Sequence, residues 1–259
     1  MKAFAEGVIL ATGCVHMLWD AIKALNNPSL PEYWTKFPFT GIFFMVGLVL
    51  TLLLDVVGNR YMEQKQAATV VEDLENEGLL ENDHDALITG NIEEQESETE
   101  VRRHSVVSLI LEVGIVSHSV IVGLSLGVSQ NPCEIRPLIV ALCFHQFFEG
   151  FALGGSISQA RFSTSKAIVM TCLFAVTMPS GVGIGTWLAL GYNPNSPAAL
   201  VVEGVLDSLS AGILIYTALH MIQADFGSNI MTSNSRLSIA SFCMVLLGIG
   251  LMSSLAAWA

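Results

Sequence analysis

Ionisable residues interrupt two long apolar stretches of this chain, at Glu112-Val113-Gly114-Ile115-Val116-Ser117-His118-Ser119 and at His145-Gln146-Phe147-Phe148-Glu149-Gly150. The stretches lie in the apolar segments 105–130 and 136–158, and a helix needs about 20 residues to cross the hydrocarbon core of a bilayer. Ionisable side chains are costly in such segments and usually face the interior of a helix bundle. The two stretches therefore predict membrane-spanning helices whose polar side chains meet inside a bundle.

The rest of the chain repeats this apolar pattern. Hydrophobic residues make up 52% of the 259 residues and charged residues only 13%, whereas about a quarter of the residues in a soluble domain are charged. Most connections between the apolar segments are short and contain Pro, Gly or Asn. We therefore predict an all-α polytopic membrane protein with seven transmembrane helices, at approximately 3–25, 38–58, 105–130, 136–158, 165–190, 197–223 and 237–258.

One connection, 59–104, is long and acidic. It carries 13 of the 23 Asp and Glu residues of the chain but only four of the 11 Lys and Arg residues, and it has no aromatic residue after Tyr61. A segment of this composition cannot bury enough apolar surface to fold alone. We expect it to be a largely disordered linker between two transmembrane helices in 1–58 and five more in 105–259.

The distribution of Lys and Arg predicts the orientation of the chain. If the N-terminus is cytoplasmic, eight of the 11 basic residues lie on the cytoplasmic side and three on the other side. Short cytoplasmic loops of membrane proteins carry an excess of Lys and Arg. We therefore expect the N-terminus and residues 59–104 in the cytoplasm and the C-terminus outside.

The spacing of the intramembrane ionisable residues is typical of a cation site. His145 and Glu149 are four residues apart, so their side chains share one helix face about 6 Å apart. His16 and Asp20 repeat this spacing on the first segment, and His118 can complete a site from a third helix. Imidazole and carboxylate together suit zinc and the neighbouring first-row metals.

Each of these residues also has a structural interpretation. A single histidine in a helix is more often a hydrogen-bonded core residue than a ligand. Several such groups, with few basic residues to neutralise the carboxylates, favour a cation instead. The remaining intramembrane ionisable residues that bear on this choice are Asp55, Glu112, Glu203, Asp207 and His220.

Other functions are disfavoured by the composition and the motifs. No basic patch indicates nucleic acid, and the five cysteines are scattered without CxxC spacing. An intramembrane metalloenzyme is a further interpretation, since His and Glu can activate water on zinc, but no HExxH or GxSxG motif is present. We expect no enzymatic activity and no cofactor, and as partners a divalent cation and the lipid bilayer, with a homodimer left open.

The two opening stretches resemble the fourth- and fifth-helix signatures of the ZIP (Zrt/Irt-like) family of metal transporters, in its plant-type form. The resemblance covers nearly all of the chain except the acidic linker. It also rests on Gly7-Val8-Ile9-Leu10-Ala11-Thr12-Gly13, Val15-His16-Met17-Leu18, Lys36-Phe37-Pro38-Phe39-Thr40, Ser210-Ala211-Gly212-Ile213-Leu214-Ile215-Tyr216 and Ala256-Ala257-Trp258-Ala259.

The resemblance implies an eight-helix fold that moves Zn²⁺, Fe²⁺ or Mn²⁺ into the cytoplasm by alternating access, most often at the plasma membrane. It implies that His118, His145 and Glu149 are the metal ligands, with Ser119 and Gln146 nearby. It also implies an entry or release path, which by the same match contains His16, Asp20, Glu203 and Asp207.

Two departures from the family pattern lead to further expectations. Met1 stands where the second family helix begins, so the seven predicted helices correspond to the second to eighth of the family. A truncated, non-transporting relative that binds metal or a full-length partner is therefore an alternative to a transporter. Val122 stands where bacterial members have a second Glu, which favours one central metal over two.

Overall fold

The computed structural model of the chain describes residues 2–76, 84–128, 132–188, 196–227 and 234–256. The described residues form helices and short connections without strands. The first span consists of α1, a π-helical segment and α2, which follow one another without a break from Lys2 to Leu25. The helices are α1 (Lys2–Ala11), the π-helix (Thr12–Met17), α2 (Leu18–Leu25), α3 (Glu32–Lys36), α4 (Phe39–Asn76), α5 (His84–Val128), α6 (Pro132–Gln159), α7 (Thr164–Leu188), α8 (Pro197–Phe226) and α9 (Ser235–Leu255).

The prediction of an all-α protein with seven transmembrane segments is confirmed. Among the described residues, seven helical stretches are long and apolar enough to cross a membrane. Each of these stretches begins and ends within a few residues of the corresponding predicted segment. The spans are Lys2–Leu25, Phe39–Gly58, Ser105–Val128, Leu138–Gln159, Thr164–Leu188, Pro197–Phe226 and Ser235–Leu255.

The helices on either side of the acidic linker are longer than the membrane spans. Helix α4 continues past Gly58 to Asn76, and α5 begins at His84 before its span starts at Ser105. Residues 77–83 lie outside the described part of the chain. That 59–104 is a largely disordered linker stays a prediction, as do the domain boundaries at 58 and 105.

Three spans form the interior of the bundle and the others surround them. More than half of the residues in the apolar parts of Lys2–Leu25 and Ser105–Val128 are buried, and half of those in Pro197–Phe226. The corresponding share is 17% in α4, α7 and α9, whose outward faces carry many exposed apolar side chains. This distribution is that of a membrane protein, where apolar side chains face lipid and polar ones face inward.

Glycine residues bring the helices together in pairs. Helices α5 and α7 approach through Gly123 and Gly127 on one side and Gly181 and Gly185 on the other. A Cβ atom at Gly127 would lie 2.3 Å from the carbonyl oxygen of Val182. Small residues four apart permit such backbone contact, which drives helix association in lipid. Gly154 and Gly155 on α6, in contrast, have open space around them.

Two further pairs of helices also pack closely through glycines. Helix α1 meets α9 where a Cβ at Gly7 would lie 2.2 Å from the carbonyl oxygen of Val245. Helix α4 meets α8 where a Cβ at Gly47 would lie 2.2 Å from the carbonyl oxygen of Leu209. Each lipid-facing helix is thereby held against an inner span by backbone contact.

Helix α7 continues through Pro179. Proline lacks the N–H that would bond to the carbonyl one turn earlier, and in a membrane helix neighbouring groups can satisfy the freed backbone. The close packing of Gly181 and Gly185 on α5 begins just after this position.

Alanine substitutions in α7 test the glycine contact. We expect Gly185→Ala to destabilise the protein by about 1–3 kcal/mol, because overpacking forces the backbones apart. The new Cβ would lie 2.5 Å from the carbonyl oxygen of Leu124. Gly183→Ala is the matched control, since a Cβ there meets nothing within 4 Å. Thermal unfolding in detergent compares the two variants, and equal melting temperatures would contradict the contact.

Candidate metal centre

Helix α6 supplies two adjacent candidate ligands. The Nε2 atom of His145 lies 3.1 Å from Oε1 of Glu149, one helical turn further on. Both side chains are buried. The i, i+4 spacing read from the sequence therefore places an imidazole and a carboxylate on one inward face of α6.

Helix α5 contributes the third candidate ligand. One donor atom each from His118, His145 and Glu149 can be chosen so that all three lie within 4.8 Å of one another. Among the residues that the structure describes, no other group of three or more His, Cys, Asp or Glu side chains meets this condition. Two imidazoles and one carboxylate, with space for a further ligand, are a donor set typical of zinc and its neighbours.

The polar atoms of this cluster lack protein hydrogen-bond partners. Both ring nitrogens of His118, Nε2 of His145 and both carboxylate oxygens of Glu149 are buried without a hydrogen bond. Buried polar groups left without partners are rare, because each costs free energy. A cation between them would supply the missing interaction.

Ser119 and Gln146 directly follow His118 and His145 in the chain. The hydroxyl oxygen of Ser119 and the amide nitrogen of Gln146 are buried and also lack hydrogen-bond partners. Neither is a His, Cys, Asp or Glu residue, so neither belongs to the three-residue group. Their role as accessory ligands stays a prediction.

His16 reaches the cluster from the π-helical segment. The centre of its ring lies 5.3 Å from that of His145, which in turn lies 5.4 Å from that of His118. Its Nε2 atom donates a hydrogen bond to the carbonyl oxygen of Met252 on α9, at 3.0 Å. Since a carbonyl can only accept, Nε2 carries the proton and Nδ1 of the neutral ring keeps its lone pair.

The π-helical segment and the Met252 carbonyl were not foreseen from the sequence. A π-helix adds one residue to the helical repeat, and such segments are frequent at functional sites. No residue pattern in Thr12–Met17 distinguishes it from an ordinary helix. The carbonyl is a backbone group 236 residues away, so only the fold could identify it.

Asp207 on α8 lies on the other side of His118. Its Oδ1 atom is 3.8 Å from Nδ1 of His118, and both side chains are buried. A carboxylate beside a metal-binding histidine orients the ring and raises its basicity. Asp207 is therefore placed to act on His118, in addition to its predicted place on a path.

A cavity of ≈ 200 Å³ leads to the cluster from one end of the bundle. We call this the far end; it contains Leu25, Val128, Leu138 and Pro197, and lies opposite the end that carries the acidic linker. The predicted path residues border the cavity together with two of the three candidate ligands. These polar lining residues are His16, Asp20, His118, His145, Glu203 and Asp207.

The mouth of the cavity is more exposed than its base. Asp20 is partly exposed and forms an ion pair with Lys23, with 2.6 Å between the charged atoms. His118 and Asp207, deeper in, are buried. Carboxylates at the entrance of a low-dielectric cleft concentrate cations and speed their arrival.

Two other intramembrane ionisable residues lie outside this site. The hydroxyl of Tyr216 on α8 donates a hydrogen bond of 2.9 Å to Oδ2 of Asp55 on α4. The Nδ1 atom of His220 lies 3.6 Å from the same oxygen. This cluster connects α4 to α8, and it does not border the cavity.

Comparison with known proteins gives a consistent result. A family model described as ZIP Zinc transporter matches residues 1–256. The Fe(2+) transport protein 3, chloroplastic, of Arabidopsis thaliana is 46% identical over an alignment that covers the whole chain and 76% of that relative. Zinc transporter 9 of the same plant is 44% identical over an alignment that covers the whole chain and 91% of that relative. Zinc transporter 7 of Oryza sativa subsp. japonica is 47% identical over an alignment that covers the whole chain and 78% of that relative. No solved structure gives a significant match.

Substitution of Asp207 tests its action on the neighbouring histidine. We expect Asp207→Asn to weaken Zn²⁺ binding about 10- to 100-fold, as for other carboxylates that support a metal-binding histidine. Calorimetric titration of the purified protein with Zn²⁺ measures the change. Glu32→Gln, which removes an exposed carboxylate paired with Lys36, is the control. Equal affinities of the two variants would contradict the role of Asp207.

Proposed function

The chain belongs to the ZIP zinc transporter family, whose members move divalent metal cations across membranes, and on this premise we propose that it carries Zn²⁺ into the cytoplasm by alternating access. Several relatives at 40–47% identity are named zinc transporters and one is named an Fe(2+) transport protein. Zinc is thus the first candidate substrate, with Fe²⁺ and Mn²⁺ as further candidates because imidazole and carboxylate ligands discriminate poorly among them.

The observation that carries the proposal is the convergence of His118, His145 and Glu149. Their donor atoms lie within 4.8 Å of one another, midway along two membrane spans, and most of these atoms have no hydrogen-bond partner. A site in the middle of a bundle is what alternating access requires, because it can be opened to one side or the other. We propose these three side chains as the ligands of the transported cation.

The chemistry of the donor set fits reversible binding. A single carboxylate, from Glu149, attracts a divalent cation through its charge. The imidazoles of His118 and His145 coordinate while neutral and add no further charge. The cation exchanges bound water for these ligands one at a time, and it is released by the reverse exchange.

The shape of the cavity supports a direction of movement. It opens at the far end, where Asp20 and Glu203 lie, and ends at His118 and His145. With the N-terminus in the cytoplasm, the far end is the outer side. We propose that the structure is open to the outside and that the cation enters past these two carboxylates. The plasma membrane is the proposed location, although one relative is named as chloroplastic.

Removal of two ligands tests the transport function. We expect His145→Ala/Glu149→Ala to abolish uptake of radioactive zinc in a yeast strain deficient in zinc uptake, because one ligand cannot replace the hydration shell of the ion. The native chain should take up zinc above the vector control.

The control for this experiment is Phe147→Ala on the same helix. Phe147 is 65% exposed towards lipid, so its removal leaves the site intact. All chains are compared at equal surface expression. Full uptake by the double variant would show that the cation passes elsewhere, and no uptake by the native chain would argue against transport.

Acid should inhibit the transport. Metal ligands must be deprotonated to bind, and an unperturbed imidazole takes up a proton near pH 6.5. Protons therefore compete with the cation for imidazole nitrogen as the pH is lowered. We expect zinc flux into liposomes to fall as the pH is lowered from about 7.5 to about 5.5. A flux that does not change over this range would contradict imidazole ligands.

A further inference from the structure

Lys23 places a positive charge at the mouth of the cavity that leads to the central ligands. Its ammonium nitrogen lies 2.6 Å from Oδ1 of Asp20, which precedes it by one turn on α2. Asp20 borders the cavity, whereas the Lys23 side chain is 52% exposed. Among the described residues, this is the only ion pair between a lysine or arginine and a carboxylate that borders the cavity.

The packing of α2 against α8 places these charges beside the second carboxylate of the mouth. A Cβ atom at Gly204 would lie only 3.3 Å from the carbonyl oxygen of Ala21, so the two helices are close at this level. Ala21 follows Asp20 in the chain, and Gly204 follows Glu203, which also borders the cavity. A cation on the proposed entry route therefore passes the ammonium group of Lys23 as well as the two carboxylates.

The ammonium group opposes the attraction that Asp20 alone would exert on an arriving cation. A carboxylate and an ammonium in contact have no net charge, so only the weaker field of a dipole remains at a distance. Charges at the entrance of a cleft control how fast ions of the opposite sign arrive. The charge on Lys23 therefore works against the capture of cations at the mouth.

The ion pair can nevertheless be opened at little cost. Both side chains are partly exposed, and ion pairs in contact with water contribute little to stability. The lysine ammonium is carried on a long flexible stem and can turn into solvent. A divalent cation that takes its place brings additional positive charge to the carboxylate, whereas Na⁺ or K⁺ only replaces one single charge by another.

We propose that Lys23 is a specificity-determining residue of cation entry, and that its ammonium is a counter-ion of Asp20 which a divalent cation displaces and a monovalent cation does not. The inference rests on the proposed function in one respect, that the cations which pass the mouth continue to the central site. While the mouth holds no divalent cation, the pair keeps Na⁺ and K⁺ away from Asp20. When a divalent cation has moved on to the deeper ligands, Lys23 returns to Asp20.

Zinc association with the purified full chain tests the proposal. Stopped-flow mixing with Zn²⁺ and a fluorescent zinc indicator measures the association rate constant. We expect Lys23→Met to raise this constant about threefold at low ionic strength, because the mouth loses a positive charge. Lys23→Arg should leave it unchanged, because the charge is kept. Zinc sites in the acidic linker contribute equally to all of these chains.

Lys36→Met is the matched control for this experiment. It removes an ammonium group that lies 2.8 Å from a carboxylate oxygen of Glu32, in an ion pair that does not border the cavity. Equal association rate constants of the Lys23→Met and Lys36→Met variants would overturn the proposal.

Replacement of one monovalent cation by another at constant ionic strength tests the discrimination. We expect K⁺, compared with the bulky N-methylglucamine cation, to slow zinc association with Lys23→Met about twofold, because an unpaired carboxylate at a cleft entrance attracts K⁺. The native chain should associate equally fast in both salts. Equal rates in both salts for Lys23→Met, or slowing of the native chain to the same extent, would overturn the discrimination.

Melting temperatures separate this role from a structural one. Lys23 lies in the last turn of α2, where a positive charge also interacts favourably with the helix dipole. A lower melting temperature of Lys23→Met with unchanged zinc association would show that Lys23 only stabilises this helix. If Lys23→Met does not fold, Lys23→Gln removes the same charge and keeps a polar side chain. Absence of zinc uptake by the native chain in yeast would count against the transport proposal alone, since the association is measured without transport.

Discussion

The free-energy cost of burying imidazole and carboxylate groups in the interior of a membrane protein is the constraint on which this structure depends. His118, His145 and Glu149 are buried, their donor atoms converge within 4.8 Å, and most of those atoms have no hydrogen-bond partner. Helix packing must supply the free energy that holds them in this arrangement. The same cost makes a cation with ordinary affinity for nitrogen and oxygen an effective partner.

Backbone contact between helices supplies part of that packing energy. In lipid, apolar side chains gain little by turning inward, so helices associate through close van der Waals contact instead. Three pairs, α5 with α7, α4 with α8 and α1 with α9, meet at glycines where even a Cβ atom would clash with a carbonyl oxygen. These contacts hold the lipid-facing helices against the spans that carry polar residues.

The seven spans could be predicted from the sequence because hydrophobicity over about 20 residues is a local property. The pairing of His145 with Glu149 was predictable for the same reason, since helical geometry places residues four apart on one face. The contact of His118 with Asp207 depends on how α5 and α8 pack, and the bond from His16 to the Met252 carbonyl depends on α9. The ion pair of Lys2 and Asp225 joins residues 223 apart in the chain. None of these has a local sequence signal, and neither has the extra residue of the π-helix.

The glycines of α6, the helix that carries two of the three proposed ligands, make no close backbone contact. In α6, a Cβ at Gly150 would meet only the side chain of Phe174, and Gly154 and Gly155 face open space. His118, in contrast, lies on α5, which packs closely against α7 through glycines. Displacement of α6 along its axis by a single residue rise, about 1.5 Å, would change the distance from His145 to His118 by enough to disrupt coordination. An ion held by all three ligands would therefore cross-link α6 to the closely packed pair α5 and α7, and its departure would remove that cross-link.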